Sequence, residues 1–363
     1  MERLIMLDLR SDTLTIPSDE MKEIMLHAHV GDDCYGEDES VNQIEAYCKR
    51  LFQMEDALFI PSGTMSNQLA IKSQVNEGNE VITDYNYHIS FYESSSTVML
   101  NRVVLNTIQT IDGILYPSIV EKLINAKPRG AFYAQPQLVS IENTINYHQG
   151  KIFPLEVIKE LRDYTKQNNL SLHLDGARLF NAHVATGVPL SEYAQNVDTL
   201  TVCFAKGLGA PFGSMLMGRT DVIQEAKKYR KQFGGGLHQI GMYARGAQFA
   251  LENNMDRIVE DHRLTKLLAK KLNLINKITI EEHEVQTNMI YIDLIRTGID
   301  SQSFTNACRE QGLLVFPWLP NVVRLVIHQH IREEDINMVV NIIESSIQER
   351  FWCKNFKVIT SNL

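Results

Sequence analysis

The 363-residue chain has no basic run interleaved with aromatics, no apolar stretch of membrane-spanning length and only five cysteines. The first absence, with a formal net charge of −9, argues against a nucleic-acid binder, because neutralising phosphates needs a basic face. The second excludes a membrane helix from the sequence expectation. MERLIMLDLRSD at the N-terminus meets charge by Asp8 and lacks the apolar centre of a secretory leader. Cys34, Cys48, Cys203, Cys308 and Cys353 are odd in number and widely spaced. They form no CxxC or Cys/His zinc spacing and are too few for a disulfide framework, so no metal is expected. A soluble protein of a reducing cytoplasm is expected.

What is present is globular: 44% hydrophobic and 22% charged residues. The length exceeds what one core usually serves, so a large domain plus a smaller one is expected. Short β-type runs alternate with longer amphipathic ones, the pattern of an α/β fold with a largely parallel sheet. The strand candidates are Ala57–Pro61, Glu80–Thr83, Leu138–Glu142, Ser171–Leu174, Thr199–Phe204 and Ser214–Met217. Helix-like stretches Ser66–Gln74, Pro154–Gln167 and Asp221–Lys231 lie between them. From about Gly241 the texture changes to one long helical stretch through Leu274. It is followed by strand candidates Met289–Leu294, Leu313–Phe316 and Val322–Ile327, with Ser301–Gln311 and Glu333–Glu349 helical. The expected division is a large domain over 1–250, with its N-terminal segment at the substrate site, and a small C-terminal α+β domain over 251–363.

Three stretches could carry chemistry. PSGTMSNQ (Pro61–Gln68) follows a strand and opens a helix, where free N–H groups and the helix dipole favour an anion. Gly63 admits close backbone approach, and Ser62 and Thr64 can add hydroxyl donors. No GK[ST] follows, so a single phosphate fits better than a nucleotide; alone, the stretch reads first as an ordinary capped turn. HLDGARLF (His173–Phe180) puts Asp175 at a strand end, where open α/β sheets bind ligands, with Arg178 three residues on. By itself that is also a helix cap with a surface arginine. CFAKGLGAP (Cys203–Pro211) places Lys206 after another strand, before two glycines. Together a phosphate loop, a carboxylate and a lysine match the needs of pyridoxal 5'-phosphate: a phosphate to hold, a ring nitrogen to keep protonated and an aldehyde that condenses with lysine.

The sequence resembles the PLP-dependent low-specificity L-threonine aldolases, of the aspartate-aminotransferase-like fold type I and the β-eliminating lyase group. The resemblance runs nearly end to end, through DLRSDTLT (Asp8–Thr15), GDDCYGEDESVNQIE (Gly31–Glu45), PSGTMSNQLA, LVSIENTIN (Leu138–Asn146), LHLDGARLFNA, CFAKGLGAP, RKQFGGGLHQ (Arg230–Gln239) and VVRLVIH (Val322–His328). It implies that Lys206 forms the Schiff base, Asp175 pairs with the ring nitrogen, and Ser62, Gly63 and Thr64 hold the phosphate. His88 would stack on the ring and serve as a candidate catalytic base, with Asn143 near the ring. Ser11, Arg178 and Arg324 would grip the substrate carboxylate, a planar anion suited to guanidinium groups. Tyr35, Lys231 and His238 match positions that meet the cofactor phosphate, in the family partly from a neighbouring subunit. A homodimer or homotetramer with shared sites is therefore implied.

The implied reaction is retro-aldol cleavage of L-threonine, L-allo-threonine or a related β-hydroxy-α-amino acid to glycine and an aldehyde. The alternative keeps the cofactor and breaks another bond, as a β-eliminating lyase or amino-acid racemase. Four positions depart from the family. Ile145 replaces a histidine, and Phe132 stands where many members carry a histidine contacting the β-hydroxyl. Ala205 replaces the serine before the lysine. His238 replaces an arginine, so a permanent cation becomes a pH-dependent one. The surroundings of the β-substituent and the phosphate are expected to differ, while the bond-breaking residues are kept.

Overall fold

The structure is a computed structural model that describes residues 6–128 and 130–360. In chain order its strands are β1 (Leu7–Asp8), β2 (Asp56–Ile60), β3 (Glu80–Asp84), β4 (Val104–Ile108), β5 (Pro136–Glu142), β6 (Ser171–Gly176), β7 (Thr199–Cys203), β8 (Ser214–Gly218), β9 (Met289–Asp293), β10 (Leu313–Leu314), β11 (Phe316–Leu319) and β12 (Val322–Val326). The residues fall into two compact units, Ile16–Asp256 and a second made of Arg257 onward with the described residues up to Thr15. The N-terminal segment thus groups with the C-terminal residues rather than with 16–250. Its reason is local: β1 pairs in parallel with β10, Leu9 N–H donates to Leu314 O, and Leu9 is fully buried in the core of that unit with Val323 and Leu325.

The larger unit is built on a seven-stranded sheet in the order β2-β8-β7-β6-β5-β3-β4. From β7 to β4 all neighbours are parallel, and β8 runs opposite to β7 and β2. The parallel strands read as continuous apolar or small runs (ITD, LVSIE, LHLDG, TLTVC) because helices cover both faces. β4 escaped the sequence expectation: VLNTI has one exposed and four half-buried residues, as an edge strand does. The long stretch expected from Gly241 through Leu274 is two helices, Gly241–Asn253 and Ile258–Leu272, interrupted at NNMD, whose asparagines and aspartate favour turns. The first buries Ala244, Gly246, Ala247 and Ala250 against the helices Asp19–Leu26 and Glu39–Phe52, so its small residues serve helix packing. A Cβ on Gly246 would lie 2.8 Å from the Met25 sulfur.

The smaller unit holds an antiparallel sheet, β11-β12-β9, covered by apolar faces of the helices Ile258–Leu272, Ser301–Glu310 and Glu333–Thr360. Within it the expected single strand over Leu313–Phe316 is split between β10 and β11, which belong to different sheets.

Candidate active site

Because β2 and β7 both run opposite to β8, the C-terminal ends of β2, β3, β5, β6 and β7 share one edge of the sheet. The chain order reverses between β3 and β5, a switch point of the kind that opens a crevice beyond strand ends. Ser62, Gly63 and Thr64 follow β2, His88 follows β3, Asp175 lies in β6 and Lys206 follows β7; all six line one cavity of about 130 Å³. Asn67, Glu93, Ala177 and Cys203 complete its wall.

Each part is fixed locally. Ser62 caps the helix Gly63–Lys72, its hydroxyl accepting from Met65 N–H at 3.2 Å. The N–H groups of Gly63 and Thr64 have no carbonyl within the helix to accept them, as at any helix start. A Cβ on Gly63 would meet nothing within 4 Å, so the approach to these donors is open. Lys206 sits in a tight turn closed by Gly209 N–H to Lys206 O at 2.8 Å. Gly209 has φ +78°, which favours glycine, whereas a Cβ on Gly207 would make only an ordinary 3.7 Å contact with Asn181. These residues fit pyridoxal phosphate: an anion cradle, an amine and a buried carboxylate face one small space.

The carboxylate belongs to a buried network that the sequence reading missed. Asp175 is 2% exposed; its Oδ2 accepts from Asn67 Nδ2 at 2.8 Å and its Oδ1 from Ala177 N–H at 3.0 Å. Asn67 Nδ2 also reaches Glu93 Oε1 at 3.2 Å. Glu93, equally buried, accepts from Gln68 Nε2 at 2.6 Å and pairs with His88 Nδ1 at 2.5 Å. Desolvation disfavours the charged imidazole of His88, yet the hydrogen bond and charge of Glu93, joined by Asp175, outweigh it and raise its pKa above the ordinary value. Facing a carboxylate, Nδ1 keeps its proton, which leaves Nε2 to exchange one. Behind Asn67 stands His173, whose burial lowers its pKa to about 4 and keeps it neutral. Gln74 donates to Thr199 Oγ1 at 2.9 Å. Thr199 can then donate to His173 Nδ1 at 2.9 Å, and His173 Nε2–H to Asn67 Oδ1 at 3.2 Å. That chain fixes the Asn67 amide with its N–H groups toward the two carboxylates.

Asn143 is fully buried beside this network without lining the cavity. Its N–H donates to Asp175 O at 2.9 Å and its Oδ1 accepts from Phe153 N–H, while Nδ2 has no partner. Glu142, the residue before it, accepts from the N–H groups of His88 and Asn146 at 2.5 and 2.7 Å. Burial, with the charge of Asp175 added, raises its pKa. Arg178 is 7% exposed and lies 3.5 Å from Asn146 Oδ1, outside the cavity wall.

Tyr35, Lys231 and His238 do not line this cavity. Tyr35 is 80% exposed. Lys231 Nζ lies 3.4 Å from Cys34 Sγ, and His238 Nδ1 pairs with Asp32 Oδ2 at 2.7 Å. Ser11 and Arg324 belong to the smaller unit. Ser11 caps the turn Asp12–Leu14, and Arg324 lies over the rings of Phe316 and Trp318 at 5.0 and 4.9 Å, donating to Arg10 O. Of the departures, Ile145 is fully buried and Phe132 is 97% exposed, and neither is among the residues of this chain that line the cavity.

A family profile described as Beta-eliminating lyase matches residues 8–295. The chain is 37% identical over 332 residues to a low specificity L-threonine aldolase of Escherichia coli K12, covering 91% of this chain and 96% of that one. It is 34% identical over 343 residues to low-specificity L-threonine aldolase 1 of Arabidopsis thaliana, covering 94% and 96%. Among solved structures, a threonine aldolase of Leishmania major superposes with a TM-score of 0.81 at 19% identity, over 94% of this chain and 99% of that one. An aspartate aminotransferase of Thermus thermophilus does so at 0.72 and 15% identity, over 94% and 92%. Both structural matches establish the shared fold.

Proposed function

The chain belongs to the beta-eliminating lyase family, and we propose that the cavity around Lys206 is the active site of a low-specificity L-threonine aldolase. The protein is a pyridoxal-phosphate-dependent carbon–carbon lyase of fold type I that cleaves L-threonine to glycine and acetaldehyde. The observation that carries the site assignment is the convergence of Lys206, Asp175, His88 and the Ser62–Thr64 turn on one cavity. L-allo-threonine and related β-hydroxy-α-amino acids are proposed as further substrates.

Bound there, pyridoxal phosphate supplies an electron sink for the charge left at Cα when the Cα–Cβ bond breaks. Lys206 Nζ would hold the cofactor through its aldehyde. The N–H groups of Gly63 and Thr64, with the Ser62 and Thr64 hydroxyls, would hold the phosphate. Asp175, immobilised by Asn67 and Ala177, would face a protonated ring nitrogen, with Asn143, just beyond β5, fixing its backbone. His88, anchored through Nδ1 on Glu93, would take the β-hydroxyl proton on Nε2. Ser11, Arg178 and Arg324 are proposed for the substrate carboxylate on the strength of their matched positions.

Tyr35, Lys231 and His238 are proposed to meet the phosphate of a neighbouring subunit, in a homodimer or homotetramer. Exposed Tyr35, Leu237, Met242 and Tyr243 support an apolar contact around these residues. A cytoplasmic location is proposed from the sparse, widely spaced cysteines; among the described residues no helix is long and apolar enough to cross a membrane.

The test is to incubate the holoenzyme, with Lys206→Ala as control, with L-threonine, phenylserine, serine and alanine in turn. Aldehyde and glycine from the first pair, absent in the control, are expected. Pyruvate from serine or racemised alanine, without aldehyde from threonine, overturns the reading.

A further inference from the structure

In the smaller unit, the face of the β11-β12-β9 sheet opposite its apolar core carries an aromatic group that core packing does not call for. Core positions alternate along the strands: Ile290 and Ile292 of β9, and Val323 and Leu325 of β12, belong to the buried cluster. Between them in sequence lie Tyr291 and Arg324, which are register partners, and Phe316 of β11 is the partner of Arg324 on its other side. Trp318, two residues on, shares the face of Phe316; its ring centroid lies 6.2 Å from that of Phe316 and 5.8 Å from that of Tyr291. Arg324 therefore has an aromatic residue beside it on each neighbouring strand, and its Cζ lies over the Phe316 and Trp318 rings at 5.0 and 4.9 Å.

We propose that Phe316 and Trp318 are positioning residues that hold the Arg324 guanidinium for the carboxylate of the amino-acid substrate and so set substrate affinity. This rests on the reading that Arg324 grips that carboxylate. A ring face attracts a guanidinium through its quadrupole without adding a charge. A carboxylate in the same place would neutralise the cation and compete with the incoming anion, whereas two rings fix its place and leave its charge for the ligand. The backbone adds a further hold, because Arg324 Nη2 donates to Arg10 O at 3.1 Å. Arg10 adjoins Ser11, the other residue of this unit matched to the substrate carboxylate. That segment is itself pinned to the sheet: Val326 N–H donates to Leu9 O at 2.8 Å, and His328 Nε2 bonds Asp8 O at 2.8 Å. The Arg10 side chain is turned onto the Asp8 carboxylate, with bonds at 2.9 and 2.5 Å, so its charge is paired there. Pro317 lies between the two rings on the edge strand, where a missing N–H is tolerated, and its fixed φ stiffens the alternation that turns both rings to one side.

The experiment titrates the holoenzyme with glycine, read from the change in cofactor absorbance, and with glycinamide, which has the amine but no carboxylate. Trp318→Leu and Phe316→Leu are each expected to weaken glycine by about 3–30-fold and to leave glycinamide unchanged. Trp318→Phe, which keeps a ring, should restore most of the affinity. In an Arg324→Gln background the leucine changes should weaken glycine little further, since residues that act through one group are not additive. Phe316 is 38% exposed on an edge strand, so Phe316→Leu decides the matter should Trp318→Leu fail to fold, which denaturant unfolding reports. Equal weakening of glycine and glycinamide, full additivity with Arg324→Gln, or parent-like glycine affinity in the folded leucine variants would each overturn the proposal. Parent-like affinity in Arg324→Gln would remove the carboxylate reading and this proposal with it, whereas a loss in Arg324→Gln alone removes only this proposal. Glycine binding is read without cleavage of any substrate, so neither result touches the test of aldol cleavage.

Discussion

Replacing Glu93 by glutamine isolates the role of the carboxylate behind His88. Three donors converge on Glu93: His88 Nδ1, Asn67 Nδ2 and Gln68 Nε2. A glutamine has one acceptor oxygen and an NH₂ group, so at least one donor meets another donor in a site 2% exposed. Gln68 cannot flip to relieve the clash, because its Oε1 already accepts from Asn101 Nδ2 at 2.7 Å. An unsatisfied buried polar group costs about 1–3 kcal/mol, and that much stability should be lost. The effect on His88 is separate. Without Glu93 the desolvation of its ring is less opposed, so its raised pKa falls. If neutral His88 is the base, the acidic limb of kcat/KM shifts to lower pH and the plateau falls, as expected for a weaker base. A raised histidine pKa stabilises the fold below the unfolded value, near 6.5, and that contribution fades as pH rises through the folded pKa. The parent's stability advantage over Glu93→Gln from this source is therefore largest at acid pH. A variant whose pH–rate profile overlays the parent's would refute the claim that Glu93 sets the state of His88.

Asp175→Asn should retain Lys206-bound cofactor absorbance while turnover falls by about 10²–10³-fold, since the amide no longer presents charge to the ring; unchanged kcat would sink that role. Arg230→Met leaves Asp33 charged and unpaired in a buried site and should cost about 3–5 kcal/mol in denaturant unfolding. Adding Asp33→Leu should recover much of the loss, and an equally unstable double variant would contradict the ion-pair argument. Burial raises the Glu45 pKa from 4.5 to about 7, despite the hydrogen bond it accepts from Phe59 N–H. Between those values the unfolded chain has released a proton that the folded one keeps, so stability falls as pH rises, by at most about 3 kcal/mol from this group. Glu45→Gln, which can still accept from Phe59, should flatten that part of the stability–pH curve; an unaltered slope would refute it.

The sheet was legible wherever strands are buried on both sides, because ALFI, LVSIE and TLTVC admit few other readings. The edge strand β4 was not, since its side chains meet solvent as often as core. Lys206, Asp175 and the PSGT turn were legible because each sits at a strand end with glycine beside it. Glu93 and Asn67 were hidden by their positions. Asn67 lies one turn into a helix and Glu93 just before another, where polar residues usually face water. Only the ordering of β3 beside β5 and β6 brings those helices together over Asp175.

The charge balance of the cavity explains why these hidden residues matter. His88, Glu93 and Asp175 offer ligand atoms within 4.8 Å of one another, so two buried carboxyl groups stand close together. Left in contact, two such groups would share a proton, and neither could serve as a fixed counter-charge. Asn67 prevents that by placing one N–H against each, and the neutral His173 holds the amide in that orientation. Glu93 then has the imidazole of His88 bonded to it, while the donors bonded to the Asp175 carboxylate are the neutral Asn67 amide and the Ala177 N–H. A carboxylate held by such dipoles, facing a small cavity that also presents an amine and an anion cradle, is complementary to a ligand that carries a proton on a ring nitrogen and a phosphate at its far end. Burial, with the charge of Asp175 added, raises the pKa of Glu142 and so disfavours a further full negative charge beside Asp175.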